Sequence, residues 1–477
     1  MPQSCRLLLC LLALIVPVSV VLPASAAATT YTVDSTGDLP DADSNDGICK
    51  DTTDPPANAK CTLRAAIMQA NQHSGADAIA FGLAAGLQTI APLSQLPPIV
   101  EQLDVNGTSQ AGWAGSPLIQ LSGASAPSDT DGLRIQGGTG STVRGLIING
   151  FRIGLGIEGP GQNRVWNDWV GTDATGMAAS PNRRSGVYVF ASPANVIGGD
   201  APEERNVVSG NGVAGVGVAD EWGKGIEIFG AGADGNQVIG NYVGTDITGS
   251  GPLGNLRHGV WIGSGAGTLG TPAGADVGDG STNGRNVIAA NGEEGIYVLD
   301  SPSVKVRGNL IGLGLDGRAA GNGFRGIAIE NAQDAVIGGA TTGERNVVSA
   351  NGFSPTATEE FEGIIVFGPN AKNVKVQGNY IGTNLAGDAI TDPGGAPTGN
   401  KSSGVSLATR TDLGGATDGL VGGTLATQRN VISGNDVGVV ILNRATHNHI
   451  EGNYIGTDAT GTATLPNHFA GAMIYAA

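Results

Sequence analysis

Charge, aromatic rings and sulfur are all scarce in this chain. Of its 477 residues only 14% are charged and 4% aromatic, and no long stretch repeats apolar residues every three to four positions, which excludes a helical bundle or coiled coil. Lysine and arginine together number 25 against 42 acids, a formal charge of −17. Such a balance excludes nucleic acid and anionic membrane as partners, because both would repel it. There are only four cysteines, two of which, Cys5 and Cys10, lie in an apolar N-terminal stretch. What the chain has in quantity is glycine, 80 residues of it, as expected of short strands joined by many tight turns.

The glycines recur with a period. Gly225-Ile226-Glu227-Ile228-Phe229 returns in variant form at Gly186, Gly259, Gly295, Gly326, Gly363, Gly404 and Gly438, with fainter copies at Gly132, Gly154 and Gly471. From Gly154 the spacing stays between 31 and 41 residues, the signature of a solenoid. Within each period two more apolar segments follow, such as Asn195-Val196-Ile197-Gly198-Gly199 and Arg205-Asn206-Val207-Val208-Ser209. Periods ending in Gly-Thr-Asp alternate with periods ending in Arg-Asn-Val. Three strands per turn predict an all-β, right-handed parallel β-helix of about eleven turns, roughly 50 Å long at the ~4.8 Å spacing of neighbouring strands. Like should stack over like, so Asn206, Asn286, Asn346 and Asn430 are expected to form one ladder and Asn211, Asn291, Asn351 and Asn435 another, satisfying backbone groups that turns leave unpaired. Asp173, Asp246, Asp316 and Asp458 are read as turn caps, with a calcium row as the alternative.

Residues 1–26 follow the order of a secretory signal: Arg6, an apolar run from Leu7 to Leu22, then Ala24-Ser25-Ala26. The mature protein is therefore expected to be secreted, periplasmic or on the cell surface, with no membrane insertion once the signal is removed. Cys49 and Cys61, an even pair in an oxidising compartment, are expected to close one disulfide. Residues 27–130 are read as a capping segment with the first strands, and 131–477 as β-helix repeats. In the first of these, strand Tyr31-Thr32-Val33, an acidic turn from Asp34 to Gly47, Cys61 and a short helix capped by Thr62 come in an order that resembles the Cys-Ser-Leu-Arg-Glu-Ala-type (CSLREA) N-terminal module of exported bacterial β-helix proteins. The resemblance spans residues 31–81 and implies a helix plugging the open end of the coil; Ala65 stands where that family has Glu, so one capping-box contact is missing. Asp41, Asp43, Asn45 and Asp46 alternate as calcium ligands do, but without the glycine and closing Glu of an EF-hand; calcium is a candidate ion here and a solvated acidic turn the alternative.

Side chains alternate along a strand, so positions one and three after the leading glycine face the core and positions two and four face outward. The outward columns carry Tyr188, Glu227, Trp261 and Tyr297, then Phe229, Glu330 and Phe367. Just before the glycine stand Lys224, His258, Glu294, Arg325 and Glu362. Longer segments enter the strands at Gly225 and Gly363, bringing Asp220, Glu221 and Trp222 on one side and Glu359, Glu360 and Phe361 on the other. These are expected to wall a groove four turns long, with the chemistry on its floor and Tyr188, Trp222, Trp261 and Tyr297 offering faces for sugar stacking. The alternative is that aromatic residues on strands answer only to β-propensity.

The repeat region as a whole resembles the pectate-lyase-like superfamily, which implies activity on a polysaccharide, although no catalytic motif of a named subfamily transfers residue by residue. As a hydrolase the groove would use Glu227 and Glu294, two turns or roughly 10 Å apart, in an inverting reaction. As a lyase it would use His258, Lys224 or Tyr297 as base, with Arg325 or a calcium ion holding a uronate carboxylate. The competing class is a non-catalytic adhesin or glycan-binding protein. The last copy, Gly471 to Tyr475, ends in mid-turn, and its uncovered parallel edge predicts self-association or docking there.

Overall fold

The computed structural model describes residues 27–53, 56–216, 222–264, 270–353, 361–409, 414–442 and 444–475. The expected signal segment with Cys5 and Cys10, and the wall residues Asp220, Glu221, Glu359 and Glu360, lie outside these residues. The chain winds as the right-handed parallel β-helix that the repeat predicts, in three sheets of 13, 12 and 11 strands. One turn runs from Ser185–Phe190 in the 11-stranded sheet to Val196–Gly198 in the 13-stranded sheet, then Val207–Val208 in the 12-stranded sheet, and returns to the first sheet at Lys224–Phe229. Register is fixed residue on residue: Val187 pairs Ile226, Ile226 pairs Val260, and Val260 pairs Ile296. These inward positions are all fully buried in one apolar column, and shifting any strand by one residue would turn its apolar set outward.

The turns are held by amide ladders, and the ladders explain the leading glycines. Both expected ladders form, but each takes an asparagine from every turn rather than every second one. Asn206, Asn241, Asn286, Asn309, Asn346, Asn379, Asn430 and Asn453 are joined in sequence by Nδ2 to Oδ1 bonds of 2.8–3.1 Å. The second ladder passes through Asn211, Asn255, Asn291, Asn322 and Asn351 in the same way. A Cβ on Gly225 would sit 2.7 Å from Asn255 Nδ2 and 2.6 Å from the Gly259 carbonyl, so the close approach of ladder and strand admits only glycine. The arginine of the Arg-Asn-Val motif spans two turns. Arg345 Nε donates to the Gly378 carbonyl at 3.1 Å while its guanidinium lies 4.1 Å over the Tyr380 ring, and Arg205 and Arg429 repeat the contact on Tyr242 and Tyr454.

At the head of the first ladder stands an acid. Asp168 is fully buried; its Oδ1 accepts the Leu146 amide at 2.8 Å, and its Oδ2 has no partner. Burial pushes its carboxyl well above the ordinary range, against the lowering effect of that one amide bond.

The N-terminal helix, Leu63–Ala70, starts at Thr62, whose hydroxyl accepts the Ala65 amide at 3.0 Å. Leu63, Ala66, Ile67 and Ala70 enter the same apolar column as Val33 and Ile79. Cys49 and Cys61 are bonded as expected. The acidic turn beside them caps its own backbone: Asp41 accepts the Asp43 and Lys50 amides, and Asp46 accepts the Ile48 amide and the Gln69 side chain. Asp41 thus spends both oxygens on backbone amides, as a turn cap does, and the Asp173 and Asp458 loops are likewise closed by amides and by Thr175 and Thr460.

Candidate functional site

The outer face of the 11-stranded sheet carries the chemistry, but as closed clusters rather than an open floor. Glu227, Lys224, His258, Glu294 and Trp261 are only 2–6% exposed. Alternation along the strand places them outside the core, and the bulk of their neighbours one turn above and below then covers them. Ionic groups gathered on a face that water could have solvated carry a desolvation penalty of several kcal/mol each unless well paired.

Glu227 belongs to the first cluster. Ser185 Oγ donates to its Oε2 at 2.5 Å, and Lys224 Nζ and Arg184 Nη2 lie 3.0 and 3.4 Å from its Oε1. Lys224 also stands 4.2 Å over the Trp261 ring, and Arg184 4.7 Å over Tyr188. Burial, with Glu227 and Glu158 adding to it against the opposing Arg184, pushes the Tyr188 phenol up to about 12. Tyr188, Phe190, Phe229 and Trp261 continue as one ring network, with centroids 4.9–6.2 Å apart. Trp222 is half-buried where the strand carrying Glu227 begins.

His258 centres the second cluster. Its Nδ1 is 3.0 Å from Glu294 Oε2 but off the line of a hydrogen bond, so that contact is electrostatic; its Nε2 is 3.4 Å from Glu293 Oε2. Arg325 bridges Glu294 at 2.9 Å and Glu362 at 3.0 Å, and Arg257 holds Glu293 at 2.6 Å. Burial is the strongest single influence on Glu294 and would raise it, but His258 and Arg325 together outweigh burial and hold its carboxyl below the ordinary range. Glu293 ends above its ordinary range, because burial there exceeds the pull of His258 and Arg257. Burial lowers Arg325, yet Glu362 and Glu294 more than reverse this and raise it.

Of the three candidate bases, Tyr297 alone escapes the closure. It remains partly exposed, its ring centroid 5.2 Å from that of His258, and its hydroxyl donates to Glu330 Oε2. The structure thus divides the expected catalytic set: Lys224 joins Glu227, whereas Glu294 and Arg325 join His258. Arg184, Ser185, Arg257 and Glu293 were not anticipated. They lie one and two residues before the leading glycine, and the register that pairs Ser185 with Lys224 is the signal that would have found them.

His258, Glu293 and Glu294 are the one group of acids and histidines with metal-binding spacing among the described residues. They do not fit calcium, which takes six to eight oxygens. The set offers an imidazole nitrogen and two carboxylates, each of which already gives one oxygen to an arginine.

No protein-family model and no curated protein matches the chain. Solved structures resemble it distantly. The A-module of a mannuronan C-5 epimerase from Azotobacter vinelandii aligns over 79% of this chain and 84% of its own at 14% identity and a TM-score of 0.45. An alginate lyase from Paenibacillus aligns over 81% and 93% at 13% identity and a TM-score of 0.34. A surface protein and adhesin of Streptococcus pneumoniae aligns over 94% and 100% at 11% identity and a TM-score of 0.38. At this distance the likeness is one of winding, and function has to be argued from the residues.

Proposed function

We propose that this is an exported protein that cleaves a uronate-containing polysaccharide by elimination, at the outer face of the 11-stranded sheet. The observation that carries the reading is Tyr297: among the three candidate bases it alone is partly exposed and has its hydroxyl on a carboxylate, Glu330. Lys224 is taken up by Glu227 and Trp261, and His258 by its two acids. In the step, Glu330 accepts the phenolic proton, and the Tyr297 phenolate removes the proton from the carbon next to the uronate carboxylate. The resulting enolate collapses to a carbon–carbon double bond as the glycosidic C–O bond breaks, and Tyr297 returns the proton to the departing oxygen. Arg325, on exchanging Glu362 for the substrate carboxylate, neutralises the charge that builds on the enolate, and the His258 ring packs beside that of Tyr297. Hydrolysis by Glu227 and Glu294 is less well supported, because both carboxylates are buried and already engaged, Glu227 by Ser185 and Lys224 and Glu294 by Arg325. Export is supported by the disulfide, which persists in oxidising compartments, and by the signal-like order of residues 1–26.

The test is a panel of uronate polymers and neutral polymers, read for unsaturated-product absorbance and for reducing ends. Wild-type protein is expected to yield unsaturated product from a uronate polymer, and Tyr297→Phe to abolish it while Glu330→Gln slows it. Reducing ends without unsaturation would replace elimination by hydrolysis. Glycan binding without any product would make the protein a non-catalytic adhesin or binding module.

A further inference from the structure

Beyond Tyr297 the same outward column changes character. Tyr297 pairs Ala328, Ala328 pairs Ile365, and Ile365 pairs Ser406, which is followed in register by Val440 and Met473. Ser406, Val440 and Met473 floor an open groove of about 340 Å³. Ser406 is 1% exposed and its hydroxyl has no hydrogen-bond partner, so a donor and acceptor group is withheld from water at the bottom of a trough that mixes apolar side chains with Ser402, Ser403, Glu362 and Asp436. Two rings stand over it largely bare, Phe469 at 72% and Tyr475 at 53% exposure.

Of the groove's two acids, one is already answered by a cation and the other shares a contact with an imidazole. Glu362 is bonded to Arg325, and Asp436 lies 3.1 Å from His468. No lysine or arginine is among the described residues lining it. A ligand there meets acceptor oxygens, hydroxyls and flat apolar faces, with no cation to hold a carboxylate or sulfate. That combination matches a neutral pyranose, whose ring presents one apolar face for stacking and hydroxyls around its edge. Glu362 belongs both to this groove and to the cluster around Arg325, and Ser406 lies three strand steps from Tyr297, about 14 Å at the ~4.8 Å spacing of paired strands.

We propose that this groove is a binding subsite for neutral sugar units, and that the substrate is a mixed polymer whose uronate lies at Tyr297 while its neutral residues extend over Ser406 toward Phe469 and Tyr475. The link between the two sites rests on the elimination reading; the binding of neutral sugar does not.

The experiment uses the full chain on an immobilised array of neutral and acidic oligosaccharides of graded length, with Phe469→Ala, Ser406→Val and Tyr297→Phe compared with wild type. Phe469 is bare, so its removal leaves the fold intact, as circular dichroism of each variant checks. The expected result is retention on neutral or mixed glycans, weakened tenfold or more by Phe469→Ala and by Ser406→Val, with any effect of Tyr297→Phe confined to glycans that carry uronate. No retention of any neutral-containing glycan, or retention indifferent to both groove substitutions, overturns the proposal. A dimer in size-exclusion chromatography that Phe469→Ala dissolves would assign the groove to a second copy and overturn it as well. Retention that both groove substitutions weaken, with no unsaturated product from the wild type, counts against the elimination step alone.

Discussion

The amide ladders and the outer face both bury polar groups, and they do so by opposite rules. In a ladder every turn supplies the same residue, so Asn346 finds in Asn309 and Asn379 partners identical to itself. On the outer face no two successive turns agree: the position before the glycine reads Ser185, Lys224, His258, Glu294, Arg325 and Glu362, and each is satisfied by something unlike itself. Uniform stacking needs only the repeat to be preserved. A series of unlike charges, each fitted to its neighbours, has no counterpart in the repeat and marks where the fold is committed to one place.

The sharpest way to break this contrast is in the ladder. Asn346→Ala would strip the acceptor from the Asn309 amide and side chain and the donor from the Val306 carbonyl. At ~1–3 kcal/mol for each orphaned buried group, a loss of about 3–6 kcal/mol is expected in urea unfolding. On the face, Glu227→Gln should cost about 3 kcal/mol, the low end for a broken buried ion pair, because Lys224 would be left buried without its counter-charge while the Ser185 contact remains. Equal losses at the two sites would erase the distinction.

Asp168→Asn tests the ladder in the stabilising direction. Since the native carboxyl is raised above its unfolded value, wild-type stability should fall as pH climbs from the ordinary aspartate range, near ~3.9, through the native value. The variant lacks this slope. Its advantage should therefore be absent in acid and grow as pH rises toward neutral, measured by thermal unfolding across pH. A flat difference between the two proteins would mean that Asp168 is solvated. The smallest effect is expected from Arg345→Ala, about 1 kcal/mol, since it removes one carbonyl bond and one ring contact at the rim.

The winding, the three sheets and the inward apolar column were legible because glycine spacing and strand alternation repeat often enough to be read in register. The ladders were half legible. Arg-Asn-Val turns announce Asn206 and Asn286, whereas Asn241 and Asn309 sit in segments with no such marker. The candidate site was least legible. Alternation tells which face Glu227 and His258 occupy, but whether they lie open depends on how Trp261, Arg184 and Glu293 pack across turns, and that is a property of stacked neighbours rather than of any single strand. The grouping of His258 with Glu294 and Arg325, apart from Glu227, follows from the same packing.

The ladders also give the molecule a direction. In each, the backbone amide and side-chain amide of one turn donate to the oxygen of the next turn toward the C-terminus. A cut between any two turns would therefore leave unlike faces: the forward piece ends in ladder amides and carbonyls that have lost their partners, and the rear piece begins with the matching side-chain oxygens and amides. Halves of this chain expressed separately should rejoin only head to tail and in their native order, which makes the coil a natural scaffold for split-protein complementation.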